Sequence, residues 1–262
     1  MKKYFQILRF AFKEQLEYRR NFFFGIITMV INDAIFMVIF VIFLSYFVGT
    51  GLTLGNFLII MSLTCIQYAL IHGCFSNIWS LPEIIEEGKM DYYLSFPLSP
   101  LWFLSMAKIK VHNLWDILFG VICLVVYLLY FNEATTLWFS LHRILIMGIT
   151  LFFVAGLFIL VGTVSFYLQR GSKIRDLFQS FYLVFGSYPP DIFKHDKVLF
   201  VLISMVGLYP ALFLPYQMLL NGATMTNWII LIGSSVLMFL FWIYMFHRGL
   251  KRYSSGNLVL QM

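Results

Sequence analysis

The stretch VLFVLISMVGLYPALFLPYQMLL, residues 198–220, is long and apolar enough to cross a lipid bilayer as one helix. A hydrocarbon core of about 30 Å needs roughly 20 apolar residues in helical form. Pro210 and Pro215 interrupt the run, however, and Pro189 and Pro190 precede it. A proline inside a helix removes a hydrogen bond and clashes with the turn before it. The run therefore reads either as a crossing helix or as two short pieces that enter the membrane and return. Broken helices at membrane depth are tolerated where they are buried in protein or line a cavity.

The rest of the chain supplies the frame for that choice. Of 262 residues, 61% are hydrophobic, 19% aromatic and 11% charged. A soluble domain carries roughly 25% charged residues, so this is the composition of a polytopic helical membrane protein. Six further segments are candidates for spans. They are Phe22–Val48, Phe57–Trp79, Leu114–Phe131, Leu141–Leu168, the short Ser172–Ser187 and Trp228–Phe246.

Basic residues set the orientation. Six precede the first span: Lys2, Lys3, Arg9, Lys13, Arg19 and Arg20. Lys89, Lys108 and Lys110 follow the second span, Arg170, Lys173 and Arg175 follow the fourth, and Arg248, Lys251 and Arg252 follow the last. Only Arg143, Lys194 and Lys197 of the 18 fall on the other side. The positive-inside rule then places both termini in the cytoplasm, which requires an even number of crossings. Two six-span readings satisfy it. In one, Ser172–Ser187 crosses and 198–220 dips in from outside and returns. In the other, Ser172–Ser187 lies on the cytoplasmic face and 198–220 crosses. Charge favours the second, because Lys194 and Lys197 would also lie inside. The prolines favour the first. The net charge of +6 is thus spent on orientation, and nucleic acid is not an expected partner.

Residues 1–21 form a separate element. Phe5, Leu8, Phe12 and Leu16 recur at helical spacing, and Lys13–Glu17 is an i,i+4 pair. This predicts an amphipathic helix in the cytoplasmic interface of the bilayer. Residues 22–262 then form a single membrane domain. No cleavable signal peptide and no lipidation motif is visible. Cys65, Cys74 and Cys123 lie within apolar segments and read as small buried hydrophobes.

Residues that would carry catalysis are scarce. There is no phosphate-binding loop; the GSK of Gly171–Lys173 lacks the preceding glycine and strand. No zinc-protease or serine-nucleophile motif occurs, and no Cys/His cluster stands at metal spacing. His72, His112, His142, His195 and His247 are scattered and read as structural. No catalytic or metal-binding residue is expected. The sharpest polar feature is Asn32–Asp33, deep in the first span. A charge at the bilayer centre costs about 2.5–3.5 kcal/mol on insertion scales, so such residues face protein or a wet cavity. Asp33 is either a point on a substrate path or a partner in a helix–helix hydrogen bond. Gln67, His72 and Asn77 give the second span a similar sparse set. His112 and Asp116 read as solvated at a membrane edge.

The most polar run is EIIEEGKMDYYLSFPLSP, Glu83–Pro100, between the second and third spans. Pro82 starts a short helix, Glu83–Glu87, with its acidic residues in the favoured first turns, and Gly88 ends it. Met90, Tyr92, Tyr93, Leu94 and Phe96 then present an apolar, aromatic surface closed by Pro97 and Pro100. This composition suits docking of a cytoplasmic protein.

Here the sequence resembles the six-span permease subunits of ABC-2 type ABC exporters. GKMDYYLSFPL, Gly88–Leu98, is similar to a loop of the form G-x-L/M-D-x-x-L-x-x-P-L found after the second span in one branch. YPPDIF, Tyr188–Phe193, then an apolar run and YPALFLP, Tyr209–Pro215, resemble a re-entrant hairpin after the fifth span. GLKRYSSG, Gly249–Gly256, resembles the basic-tyrosine-serine-glycine ending. Phe96 departs from the pattern, standing where many members have arginine.

The resemblance implies an all-α integral membrane protein with six transmembrane helices, an N-terminal interfacial helix, a cytoplasmic coupling helix and a re-entrant extracellular hairpin over 188–220. It selects the first of the two topologies. It implies a permease, not an enzyme, that pairs with an identical or paralogous permease and with two cytoplasmic ABC ATPase subunits. ATP and magnesium would sit on those partners, with no cofactor on this chain. Within the coupling loop 81–100, Glu83, Glu86, Glu87, Gly88, Lys89, Asp91, Phe96 and Pro97 would contact the ATPase. Asn32, Asp33, Gln67 and His72 would line the substrate path. Tyr188, Pro189, Pro190, Pro210 and Pro215 would form the outer gate. An aromatic, nearly charge-free interior suits hydrophobic or amphiphilic cargo: a drug, a peptide antibiotic or a lipid-like molecule. The lean plan suggests a bacterial inner or plasma membrane. The competing classes are an integral membrane enzyme, which would need acidic or histidine side chains clustered at one depth, and a structural membrane subunit without an ATPase.

Overall fold

The computed structural model describes residues 6–7, 9–10, 13, 17, 19–46, 53–131, 137–168 and 170–254. Every element among them is helical. That is what lipid imposes: without water, each backbone N–H and C=O must be satisfied within the chain, and a helix does this segment by segment. The apolar face expected for the N-terminal amphipathic helix (Phe5, Leu8, Phe12, Leu16) lies outside the described residues. Those described there, among them Lys13 and Glu17, are helical.

The first long helix, α1 (Arg19–Tyr46), exposes Phe23, Phe24, Ile27, Ile31, Ile35 and Ile39 and buries only Asp33 and Phe40. In α2 (Leu54–Ala69) nearly every residue is buried, and Thr53 caps its start by accepting from the Asn56 amide. A π-helical turn, Leu70–Cys74, and the short α3 (Ser76–Trp79) carry α2 into the polar loop. That loop holds α4 (Leu81–Glu86), α5 (Met90–Leu94) and α6 (Pro100–Met106). A 3₁₀ turn at Val111–Leu114 leads into α7 (Trp115–Tyr130), and α8 (Leu137–Thr163) follows.

Two helix pairs form the frame. α7 runs antiparallel along α2, with Gly120 so close to Ile66 and the Ser62 carbonyl that a Cβ there would sit 2.7 Å and 3.0 Å from them. α8 pairs with α12 (Met225–Leu250). His142 meets Trp228, Ser235 meets the Ile149 carbonyl, and Gly156 lies under Trp242. Small residues at these crossings let the backbones approach where lipid supplies no hydrophobic drive. The contacts advance together along α8 and α12, so these two helices are parallel. Residues 164–224 must therefore return the chain across the bundle once.

Among the described residues six stretches are long and apolar enough to span a membrane: Phe22–Ile42, Leu54–Cys74, Val111–Tyr130, His142–Phe166, Lys197–Asn221 and Met225–Leu250. The sixteen-residue α9 (Gly171–Gly186) spans about 24 Å at 1.5 Å per residue, short of a full hydrocarbon core. It ends half way along α2, where the Thr64 hydroxyl donates to the Gly186 carbonyl at 3.0 Å.

Lys197–Asn221 is not one straight helix. It comprises α10 (Lys197–Ile203), a π-helical stretch Ser204–Phe213, and α11 (Leu214–Asn221). Within the stretch Gly207 adopts φ 96°. The rings of Phe200 and Phe213 stack with centroids 5.7 Å apart. Thirteen residues of straight helix would separate them by about 20 Å, so the chain bends back at Gly207. Phe193 stacks on the same Phe213 ring, and Leu212 packs on Gly186. The bend lies at Gly207, three residues before Pro210. Pro190 opens a 3₁₀ turn over Pro190–His195, and Pro215 sits in the first turn of α11.

Gly207→Val places a branched Cβ at a positive φ and 3.2 Å from Leu157. We expect it to lower stability by about 1–3 kcal/mol, read as a fall in Tm of the detergent-solubilised protein. Gly148→Ala, where a Cβ meets nothing within 4 Å, should leave Tm unchanged or raise it. A Gly207→Val protein melting with the wild type would remove the bend.

Candidate functional site

The polar loop is built as a rigid block. Pro82 lies at the start of α4, and Gly88, at φ 70°, ends the turn after it. α4 ends before Gly88, where the expected short helix Glu83–Glu87 was to stop, and a second short helix, α5, follows it. A five-residue continuation was not legible because Lys89–Asp91 carry no periodicity of their own. Ile78, Leu81, Ile84, Met90, Leu101 and Leu104 pack with Ile159, Trp242 and Phe246 of the long helices. Met90, expected on the exposed surface, is therefore at the centre of this small core. Tyr93 also turns inward and accepts a hydrogen bond from Asn77 at 3.1 Å. The exposed apolar face is Tyr92, Leu94, Phe96 and Trp102, with Phe103 beneath the aromatic rings. Pro97 is exposed beside them.

The loop's carboxylates divide into two groups. Glu83 and Glu86 face the subunit's own α9. Arg175, buried, donates to Glu83 at 2.5 Å and to the Trp79 carbonyl at 2.8 Å, and pairs with Asp176 at 2.7 Å. Its guanidinium also stacks 4.5 Å over the Trp79 ring. Glu86 accepts from both the backbone N–H and the hydroxyl of Ser172, at 2.8 and 2.9 Å, where its charge suits the start of α9. Glu87 and Lys89 instead pair with each other in the open. Asp91 neighbours Tyr253 of the C-terminal tail; burial, then the Asp91 charge, pushes that phenol up to about 12. The face left for a partner is thus Glu87, Lys89, Tyr92, Leu94, Phe96 and Pro97.

From Arg175 a column of rings runs up α2. Trp79 packs on His72 at 4.4 Å, and His72 on Tyr68 at 4.0 Å. His72 lies in the π turn and is buried within this column. Tyr68 in turn lines a cavity of about 560 Å³ between α1, α2, α7 and α9.

The four residues expected on a substrate path separate here. Asn32 and Asp33 line the cavity. His72 does not; it lies one turn below. Gln67 does not either. It accepts from the Tyr182 hydroxyl and donates to the Ala211 carbonyl at 2.8 Å. Residue 215 would supply the helical donor for that carbonyl, and it is proline, which has none. The Gly186 carbonyl has the same problem with Pro190, and Thr64 solves it. Thr64 and Gln67 therefore serve the proline breaks. Of the gate residues, Pro189 and Pro190 are buried and Tyr188 packs on Phe40 of α1. Tyr216, next to Pro215, donates to Asp191 at 3.0 Å.

Asp116 corrects the reading of a solvated edge residue. It is 5% exposed and lines the cavity together with Asp33. Its spacing to Gly120, Cys123 and Tyr127, the other buried positions of α7, was the available signal. Among the described residues no three His, Cys, Asp or Glu side chains converge as a metal site.

A family model described as "ABC-2 family transporter protein" matches residues 29–256. No curated protein and no solved structure matches the chain.

Replacing Gln67 by Leu strands the Ala211 carbonyl and the Tyr182 hydroxyl. A buried polar group left unpaired costs about 1–3 kcal/mol, so Gln67→Leu should melt well below the wild type. Asn32→Ala, at an exposed position, should not. Equal melting of Gln67→Leu and wild type would restore Gln67 to the list of free polar groups.

Proposed function

The chain belongs to the ABC-2 family of transporter proteins, and on that premise we propose that it is the permease subunit of an ATP-driven exporter. It is a multi-pass membrane protein. Two such permeases, identical or paralogous, pair with two cytoplasmic ABC ATPase subunits, which hold ATP and magnesium. The cargo is hydrophobic or amphiphilic and leaves from the cytoplasm or inner leaflet. The setting is a bacterial inner or plasma membrane, with both termini and the loop 81–100 in the cytoplasm. In this orientation α9 rises from the cytoplasmic side, and residues 188–220 form the re-entrant hairpin at the outer end.

One observation carries the reading: an exposed face of Glu87, Lys89, Tyr92, Leu94 and Phe96 stands on a block tied to α9 through Glu83–Arg175 and Glu86–Ser172. A block bound to a soluble partner and to a transmembrane element conveys displacement from one to the other. ATP binding closes the ATPase dimer and moves both blocks. α9 follows through Arg175, and its far end carries the hairpin through Gly186 and Leu212. The path then opens outward, and hydrolysis resets it. The permease contributes different affinities for cargo in the two states, and the ATPase contributes the energy.

Two measurements test this. The tagged chain, extracted in mild detergent from its host, should bring down a stoichiometric ATPase. Tyr92→Ser with Phe96→Ser should reduce that recovery at least tenfold at equal membrane expression; undiminished recovery would move the docking face elsewhere. Lys197→Cys should react with a membrane-impermeant maleimide from outside in intact cells. Labelling only after permeabilisation would reverse the placement of the hairpin.

A further inference from the structure

The cavity between α1, α2, α7 and α9 holds two acidic side chains and no basic one. Asp33 and Asp116 both line it, at 6% and 5% exposure, close enough for their charges to repel. Asp33 Oδ2 and Asp116 Oδ1 have no hydrogen-bond partner. The indole N–H of Trp115 lies toward Asp33 without reaching hydrogen-bond geometry. No lysine, arginine or histidine lines the space. Ser62, His72, Asn113, Trp115, Ser165 and Tyr253 also hold a buried polar atom without a partner, but none of these six lines the cavity, and Asp33 and Asp116 are the two carboxylates in the set.

Buried carboxylates in a membrane domain normally pair with one another or with a cation, because desolvation of an isolated charge is expensive. Two that repel and face a shared cavity are complementary to a positive ligand. The size of the space decides between a bare metal ion and an organic one. About 560 Å³ is within the range of drug-sized sites, and two carboxylates are too few for the six to eight oxygen ligands of a hard cation such as calcium. The walls are apolar and aromatic: Phe36, Met61, Tyr68 and Tyr188. Tyrosine faces add cation–π attraction to a desolvated positive charge. Asn32 and Val184, on the rim, are exposed on the outer surfaces of α1 and α9. The cavity thus opens at the side of the bundle, between α1 and α9.

We propose that this cavity binds a lipophilic monovalent organic cation, with Asp33 and Asp116 together as its counter-charge. This names the substrate class of the exporter described above and rests on that reading for the purpose of binding, not for binding itself.

The test uses two probes of nearly the same shape and opposite charge. The full chain is reconstituted in lipid nanodiscs without nucleotide, and saturable binding of radiolabelled tetraphenylphosphonium and of radiolabelled tetraphenylborate is measured in separate samples, each displaced by its own unlabelled ion. Tetraphenylphosphonium should bind saturably and tetraphenylborate should not. Asp116→Asn and Asp33→Asn should each weaken phosphonium binding at least tenfold, and Asp33→Glu should hold it within about threefold of the wild type. Saturable binding of the borate with equal affinity, or no saturable phosphonium binding to the wild type, overturns the proposal, and neither result needs a variant that folds. A double Asp33→Asn, Asp116→Asn protein that melts normally and keeps its affinity also overturns it. Binding that stands while no ATPase co-purifies would leave the cation site intact and remove the exporter; an ATPase partner without binding would do the reverse.

Discussion

The structure depends on keeping backbone carbonyls paired where there is no water. Continuous helices do this unaided. The segment after α8 cannot, because Pro190, Pro210 and Pro215 remove donors from it. Its carbonyls are satisfied from α2, the helix buried on nearly all sides. Thr64 reaches the Gly186 carbonyl and Gln67 the Ala211 carbonyl, three residues apart on one face of α2. The folded-back segment therefore exists as an attachment to α2. Where α2 supplies a polar side chain the helix may end, and where it supplies leucine and isoleucine the neighbours remain continuous.

Continued through the π turn and α3, the same helix reaches the polar loop. At the end of α3 Trp79 is held by Arg175, through both its carbonyl and its ring, and Arg175 is held by Glu83. Above, His72 and Tyr68 continue the ring column to the cavity. Close-packed side chains transmit strain because they have few alternative arrangements. The polar loop thus touches α9 through a direct charge contact and the cavity wall through ring contacts, and it has its own core centred on Met90 and Leu104.

Polar residues in the membrane domain look alike in sequence and do two different jobs. Gln67 and Thr64 are consumed by architecture. Asp33 and Asp116 are not, and they come from helices whose sequence separation is over eighty residues. Composition placed Asp33 in a span, but it carries no information about which side chain stands opposite. Asp116, two residues after a 3₁₀ turn, looked like a boundary residue until the packing of α7 on α2 turned it inward. In the loop, Pro82 and Gly88 marked the first short helix correctly. The division of its glutamates into inward and outward sets was invisible, since Glu83, Glu86 and Glu87 differ only in their phase around a single turn.

What the sequence by itself determined was the chemistry of the solvent. Long apolar runs separated by short polar loops admit only helices in lipid, basic residues bias their orientation, and prolines make 198–220 a run that can break. Those are properties of local segments and need no knowledge of neighbours. Tertiary structure alone decided which polar groups are satisfied. Gln67 is spent because the Ala211 carbonyl and the Tyr182 hydroxyl lie across from it, Glu83 is spent because Arg175 does, and Asp33 and Asp116 are left facing a common space. Satisfaction is a pairwise property of groups distant in the chain, and only the packed bundle brings the pairs together.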